Sequence, residues 1–86
     1  MQIQTHKQYD KMWVKLNSKQ QIRTLHNLKL FIANQNDPRL RLHQLKGKYY
    51  PQYSISVGGD LRIHYLKIDA NRIVLMMVGT HSQLYR

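Results

Sequence analysis

The chain has 86 residues, 14 Lys and Arg against 4 Asp and Glu, a formal charge of +10, and no cysteine. That length allows one domain, residues 1–86, with a single core near the lower end of comfortable stability, and excludes multi-step cofactor chemistry shared with a second domain. The lack of cysteine excludes disulfides and thiolate metal sites, no apolar run approaches the roughly 20 residues of a membrane span, and no signal-peptide pattern is present, so a soluble cytoplasmic protein without a membrane partner is expected.

A small domain carrying this charge repels itself. The imbalance points to a polyanionic partner, nucleic acid or a ribosome-like surface first and an acidic protein second.

Met1 to Thr5, with only Ile3 firmly apolar, reads as a loop or an edge strand. Tyr9, Met12, Trp13 and Leu16 recur every three to four residues, one face of a helix, with Lys7, Lys11 and Lys15 on another. Asn17-Ser18 interrupts it. Ser18 is a suitable N-cap for a second helix running to about Asn34, with Ile22, Leu25, Leu28 and Ile32 as the buried stripe and Phe31 beside it. The short connection predicts an antiparallel helical hairpin.

Asn34 to Pro38 is dense in turn formers and ends the helix. Arg39 to Lys48 reads as a basic connector anchored by its leucines. Tyr53, Ile55 and Val57 alternate with Ser54 and Ser56, a strand with one apolar face, and Gly58-Gly59 is a two-residue hairpin signal. The partner strand, Asp60 to Ile68, sets Leu61, Ile63 and Tyr65 against Arg62 and His64. After a turn at Asp69–Asn71, the unbroken apolar run Ile73 to Val78 predicts a strand buried on both faces at the centre of the sheet. It delivers Gly79, Thr80 and His81. Ser82 to Arg86 reads as one helical turn or a short extended tail.

The prediction is therefore α+β: an N-terminal helical hairpin packed on a small antiparallel β-sheet, with the N-terminal segment as a possible fourth strand. The helices cover one face, which leaves function to the other.

Five histidines (His6, His26, His43, His64, His81) lack HExxH spacing and close carboxylate companions, so neither a metal nor another cofactor is expected. Cations gather on the connector (Arg39, Arg41, Lys46, Lys48) and at Arg62, Arg72 and Arg86. Arg62 and His64 share a strand face. They are either an ordinary exposed pair or the wall of a concave site in which the planar fork of Arg62 clamps a phosphate. His81 and Tyr85 are either satisfied structural residues or parts of metal-free RNA cleavage. That reaction needs a base for the ribose 2′-hydroxyl, an acid for the leaving oxygen, a cation on the phosphate, and an aromatic to orient a nucleobase.

The ordered series His43-Gln44-Leu45-Lys46-Gly47, Tyr53-Ser54-Ile55-Ser56-Val57, Asp60-Leu61-Arg62-Ile63-His64-Tyr65 and Gly79-Thr80-His81-Ser82-Gln83-Leu84-Tyr85 resembles the YafQ branch of the RelE-like toxins of bacterial type II toxin–antitoxin systems. The resemblance is clear from His43 to Tyr85 and loose over the helical hairpin. It implies the RelE-like toxin fold and a ribosome-dependent endoribonuclease that cleaves mRNA in the decoding site, contacts ribosomal RNA, and inhibits translation. It also implies a cognate acidic antitoxin, through which alone the chain would meet DNA. Position by position, His81 is similar to the family's C-terminal catalytic histidine and His43 to the histidine before the L-K-G motif. Asp60 is similar to the aspartate opening the next strand, Tyr85 to the terminal aromatic that packs on a base, and Arg62 to the strand arginine facing the scissile phosphate. Lys46 is the expected phosphate contact, with Arg41, Lys48 and His64 as further RNA-binding residues.

One departure stands out. YafQ-like toxins often carry an Asp and a His on the first hairpin strand, where this chain has Ser54 and Ser56. Serine cannot replace that histidine as acid or base. Either His43 and His81 suffice, or His64 takes the missing place from the neighbouring strand, or this member is weakened. Two other readings stand beside the ribonuclease: a ParE-like toxin that poisons DNA gyrase, and a basic RNA-binding module without catalysis.

Overall fold

The computed structural model describes residues 1–85. Its elements are β1 (Gln2–Thr5), α1 (Lys7–Trp13), α2 (Ser18–Ala33), β2 (His43–Gln44), β3 (Tyr53–Ser56), β4 (Leu61–Asp69), β5 (Arg72–Thr80) and α3 (His81–Leu84), with 3-10 turns at Pro38–Leu40 and Gly47–Tyr49. The strands form one sheet in the order β1-β5-β4-β3-β2. The architecture is α+β, and β3-β4-β5 is the expected antiparallel meander.

Two strands refine the expectation of a small antiparallel sheet. β1 pairs with β5 in parallel, Ile3 opposite Ile73, so the sheet is mixed. His43-Gln44, within the segment read as a connector, pairs antiparallel with Ser54-Tyr53 and closes the opposite edge. With a strand added at each edge, the middle position passes to β4. β5 remains an interior strand, but Val74 and Met76 are only half-buried, so its run is not covered on both faces throughout.

The core lies between the helices and one face of the sheet. Tyr9 of α1 and Leu28 and Phe31 of α2 pack with Ile55, Ile63, Tyr65, Leu75 and Val78, apolar residues of β3, β4 and β5. Phe31 meets Tyr65 edge-on at 5.3 Å, and Tyr65 stacks on its cross-strand partner Tyr53 at 5.4 Å. Truncating a buried aromatic such as Phe31 to Ala costs about 3–5 kcal/mol.

The second helix departs from its expected orientation in two ways. Its N-cap is Asn17, whose side chain accepts from the Gln20 amide while the Gln20 side chain returns to the Asn17 N–H; Ser18 is the first helical residue. A capping box needs Glu or Gln at the third helical position; Gln21 would meet that need for Ser18 as Gln20 does for Asn17, and the box that closes here is the one between Asn17 and Gln20. Its buried face carries Thr24, Leu28 and Phe31, whereas Ile22, Leu25 and Ile32 are 69%, 51% and 54% exposed. Rotation about the helix axis toward Phe31 buries the aromatic, the larger apolar surface, keeps Leu28 of the expected stripe inside and leaves its other three members outside.

Candidate active site

On the sheet face away from the helices, the register aligns side chains of consecutive strands. His43 lies opposite Ser54, Ser54 opposite His64, and His64 opposite Met77; one step along, Ser56 lies opposite Arg62 and Arg62 opposite Gly79. Directly opposed residues project from the same face, so His43, Ser54 and His64 form one row and Ser56 and Arg62 the next.

The far end of β5 carries α3. Its Thr80 side chain accepts from the Gln83 amide, and the Gln83 side chain accepts from the Thr80 N–H, a second capping box. Leu84 is buried, and its carbonyl accepts the Tyr49 hydroxyl at 2.6 Å. Fixed in this way, one helical turn sets residues four apart on one side. His81 and Tyr85 meet with ring centroids 4.6 Å apart.

Three rings then close edge-on around the end of the histidine row. Tyr49 lies 5.0 Å from His64 and 5.6 Å from Tyr85, and His64 lies 5.4 Å from Tyr85. The Tyr85 hydroxyl is 3.3 Å from His64 Nε2. His64 is fully buried and its Nδ1 has no hydrogen-bond partner among the described residues. Burial drives its pKa down to about 4, helped by the charges of His43 and His81, so near neutral pH it is an uncharged imidazole. Burial also raises the Tyr85 pKa, reinforced by Tyr49 and opposed by Arg62.

His43 is exposed, and its Nδ1 lies 2.8 Å from the Arg41 carbonyl. A carbonyl only accepts, so the proton sits on Nδ1 and the neutral ring keeps its free lone pair on Nε2. Arg62 is half-buried. Its Nη1 reaches Ser56 Oγ at 3.3 Å and the carbonyls of Gly59 and Leu61 at 3.1 and 3.0 Å, which holds the guanidinium at the β3–β4 turn. Ser56 therefore anchors a cation.

The structure thus brings together His43, His81, Tyr85 and, through the row alongside, Arg62. His64, expected among the RNA-binding residues, belongs to the cluster with no exposed surface of its own. Asp60 is exposed at the hairpin turn without an ion-pair partner among the described residues, and nothing joins it to His81 or His43. Lys46 and Arg41 are exposed on the β2 side, and Lys48 holds its ammonium 5.3 Å from the Tyr49 ring centroid. Arg86 lies outside the described residues. Tyr49 is the member that sequence reasoning missed; its only signal is an aromatic following directly on a lysine. Among the described residues no group of His, Cys, Asp or Glu is arranged to hold a metal, and no helix is long and apolar enough to cross a membrane.

A family model described as a bacterial toxin of type II toxin–antitoxin system, YafQ, matches residues 1–86. The crystal structure of YafQ from E. coli is 21% identical over 98% of this chain and 97% of that one, with a TM-score of 0.76. YafQ in the E. coli DinJ-YafQ toxin-antitoxin complex is 25% identical over 98% and 96%, with a TM-score of 0.72. The archaeal RelE-RelB complex from Pyrococcus horikoshii includes a chain 17% identical over 95% and 96%, with a TM-score of 0.70. At these identities the structural likeness is one of fold. No curated protein sequence matches the chain.

Proposed function

The chain belongs to the YafQ family of bacterial type II toxins, and from that premise we propose that it is a ribosome-dependent endoribonuclease that cleaves mRNA by acid–base chemistry of its own side chains. One observation carries the reading: His43 shares the cross-strand row of Ser54 and His64, and His81 meets the Tyr85 ring that packs on His64, with Arg62 on the same sheet face. Two accessible imidazoles near a fixed cation are the parts that RNA transesterification requires.

In this mechanism His43 Nε2 takes the proton of the ribose 2′-hydroxyl. The 2′-oxygen attacks phosphorus, and the bond to the 5′-oxygen breaks as His81 in its protonated form donates to that leaving oxygen. The products are a 2′,3′-cyclic phosphate and a 5′-hydroxyl end. Arg62 stabilises the crowded phosphate, and the exposed ring of Tyr85 stacks on an adjoining nucleobase. Arg41, Lys46 and Lys48 line the approach on the β2 side, suited to the phosphates of mRNA and ribosomal RNA. The sites occupied by Ser54 and Ser56 are explained by division of labour, with His43 and His81 carrying the proton transfers and Ser56 seating Arg62.

The cognate partner in this reading is an acidic antitoxin, which would also mediate any contact with DNA. In the E. coli complex the partner of YafQ is the antitoxin DinJ. Here Leu25 lines a cavity of about 320 Å³ between the helices and β1, together with Ile3, Thr5, Tyr9, Asp10, Trp13, Leu28 and Leu75, and Ile22 and Ile32 are exposed on the same helix. An amphipathic segment with carboxylates on its rim fits such a groove on a +10 protein.

The test is induction in bacteria with primer extension on endogenous mRNAs, with and without blocked translation. New 5′ ends that vanish when ribosomes are stalled off the message are expected. Growth arrest without any cleavage, accompanied by gyrase-dependent DNA breaks, would transfer the chain to the ParE-like reading.

A further inference from the structure

We propose that His64 is a positioning residue: it accepts the Tyr85 hydroxyl at Nε2 and so holds the Tyr85 ring against His81 with one face turned to the nucleobase. This rests on the ribonuclease reading and deepens it.

The geometry divides Tyr85 into two ends. Its hydroxyl points inward to His64 Nε2 at 3.3 Å, whereas the residue as a whole is 43% exposed. Tyr49 packs edge-on to both rings and is itself tied to α3 through its hydroxyl on the Leu84 carbonyl. The exposed part of the Tyr85 ring is therefore held from beneath by His64 and from the side by Tyr49, and His81 meets it at 4.6 Å. A ring anchored at one end has fewer orientations to lose when a base stacks on it, so the base and the ribose attached to it arrive in register with His81.

The fold bears a cost at this position that packing alone does not explain. If Nε2 accepts from Tyr85, the imidazole proton sits on Nδ1, which is buried and has no partner among the described residues. A leucine or phenylalanine would fill the same volume without an orphaned polar atom. The groups that face His64 are His43 from β2, Ser54 from β3, Met77 from β5, Tyr49, and His81 and Tyr85 at α3. None is an anion. Among the described residues nothing around the ring favours its protonated form, so it serves as an acceptor for a hydroxyl and not as a proton carrier to the phosphate.

The experiment measures single-turnover cleavage of a defined mRNA on programmed ribosomes, as rate at saturating protein and as half-saturating concentration. Four variants are compared with the wild-type chain: Tyr85→Phe, His64→Leu, the double variant, and His64→Gln, whose amide can reach the Nε2 position. Tyr85→Phe and His64→Leu are each expected to slow the saturated rate about fivefold, the worth of one neutral hydrogen bond, with half-saturation unchanged. The double variant should be no slower than either single one, and His64→Gln should recover most of the rate. Nitrogen NMR of the wild-type imidazole should show a neutral ring whose Nε2 shift moves in Tyr85→Phe. Additive losses, a His64→Gln rate as low as that of His64→Leu, or a Tyr85→Phe rate equal to wild type would overturn the positioning role. The last outcome is decisive even if His64→Leu fails to fold, because Tyr85→Phe removes a single oxygen. A wild-type chain that cleaves no mRNA overturns the ribonuclease reading and this role together, which separates the two failures.

Discussion

The imidazole of His43 is tied by its Nδ1 to the carbonyl of Arg41, two residues back, at 2.8 Å, and Arg41 holds that carbonyl in place from a left-handed backbone conformation with φ of 50°. A short turn thus selects the tautomer of an exposed histidine. His43→Gln, whose amide can still donate a hydrogen bond but cannot take up a proton, is expected to lower the cleavage rate by about 10²-fold or more, the usual contribution of a general base. Single-turnover rates on ribosomes measure it.

Arg41→Gly separates the two contributions of that residue. Glycine adopts the left-handed conformation freely, so the carbonyl stays available to His43 and the melting temperature should not fall. The lost cation should weaken ribosome binding and lower the salt dependence of affinity by about one counterion. Binding isotherms at several salt concentrations test this. A rate collapse at saturating protein would show instead that the turn itself had been disturbed.

Arg62→Lys is expected to behave nearly as badly as Arg62→Ala, each lowering the cleavage rate by about 10²–10³-fold. One guanidinium nitrogen bridges Ser56 Oγ and two turn carbonyls, and a lysine ammonium has no planar fork to do this while also facing a phosphate. Ser56→Ala should cost much less, since the two carbonyls remain.

Stability should depend on pH through His64. Its pKa is about 4 in the folded state against an ordinary 6.5, so between these values the unfolded chain binds the extra proton. The stabilisation is whole above pH 6.5 and is lost as pH falls toward 4, on the order of 3 kcal/mol in all. Denaturant titrations at pH 7, 5.5 and 4 should show the loss, and a folded His64→Leu variant should show a much shallower one.

Ile22→Glu and Leu25→Glu should leave the melting temperature within a degree or two, because both side chains are already more than half exposed. Each should impair neutralisation by the cognate antitoxin while leaving cleavage intact. Co-expression growth assays with the antitoxin, set beside cleavage by the purified variants, distinguish the two effects.

Much of the sheet was legible in the residues because a strand has a period of two. Ser54 and Ser56 against Ile55 and Val57, and Arg62 and His64 against Leu61, Ile63 and Tyr65, separate a polar face from a core face without reference to any other element, and the structure keeps that division. The motif ending in Gly79-Thr80-His81 likewise put a histidine directly after the last strand, where α3 begins. What the chain alone did not decide is what lies over each face. The stripe expected along α2 ran through Ile22, Leu25, Leu28 and Ile32 with Phe31 beside it, and only packing against Tyr65 turned the helix to bury Phe31 with Leu28. His64 is on the polar face as its position requires, yet it is fully buried, because Tyr49 arrives from a 3-10 turn and Tyr85 from α3 to cover it. Periodicity reports the direction in which a side chain leaves its own strand; whether water waits there depends on segments 15 and 21 residues distant in sequence, and only the folded chain brings them together.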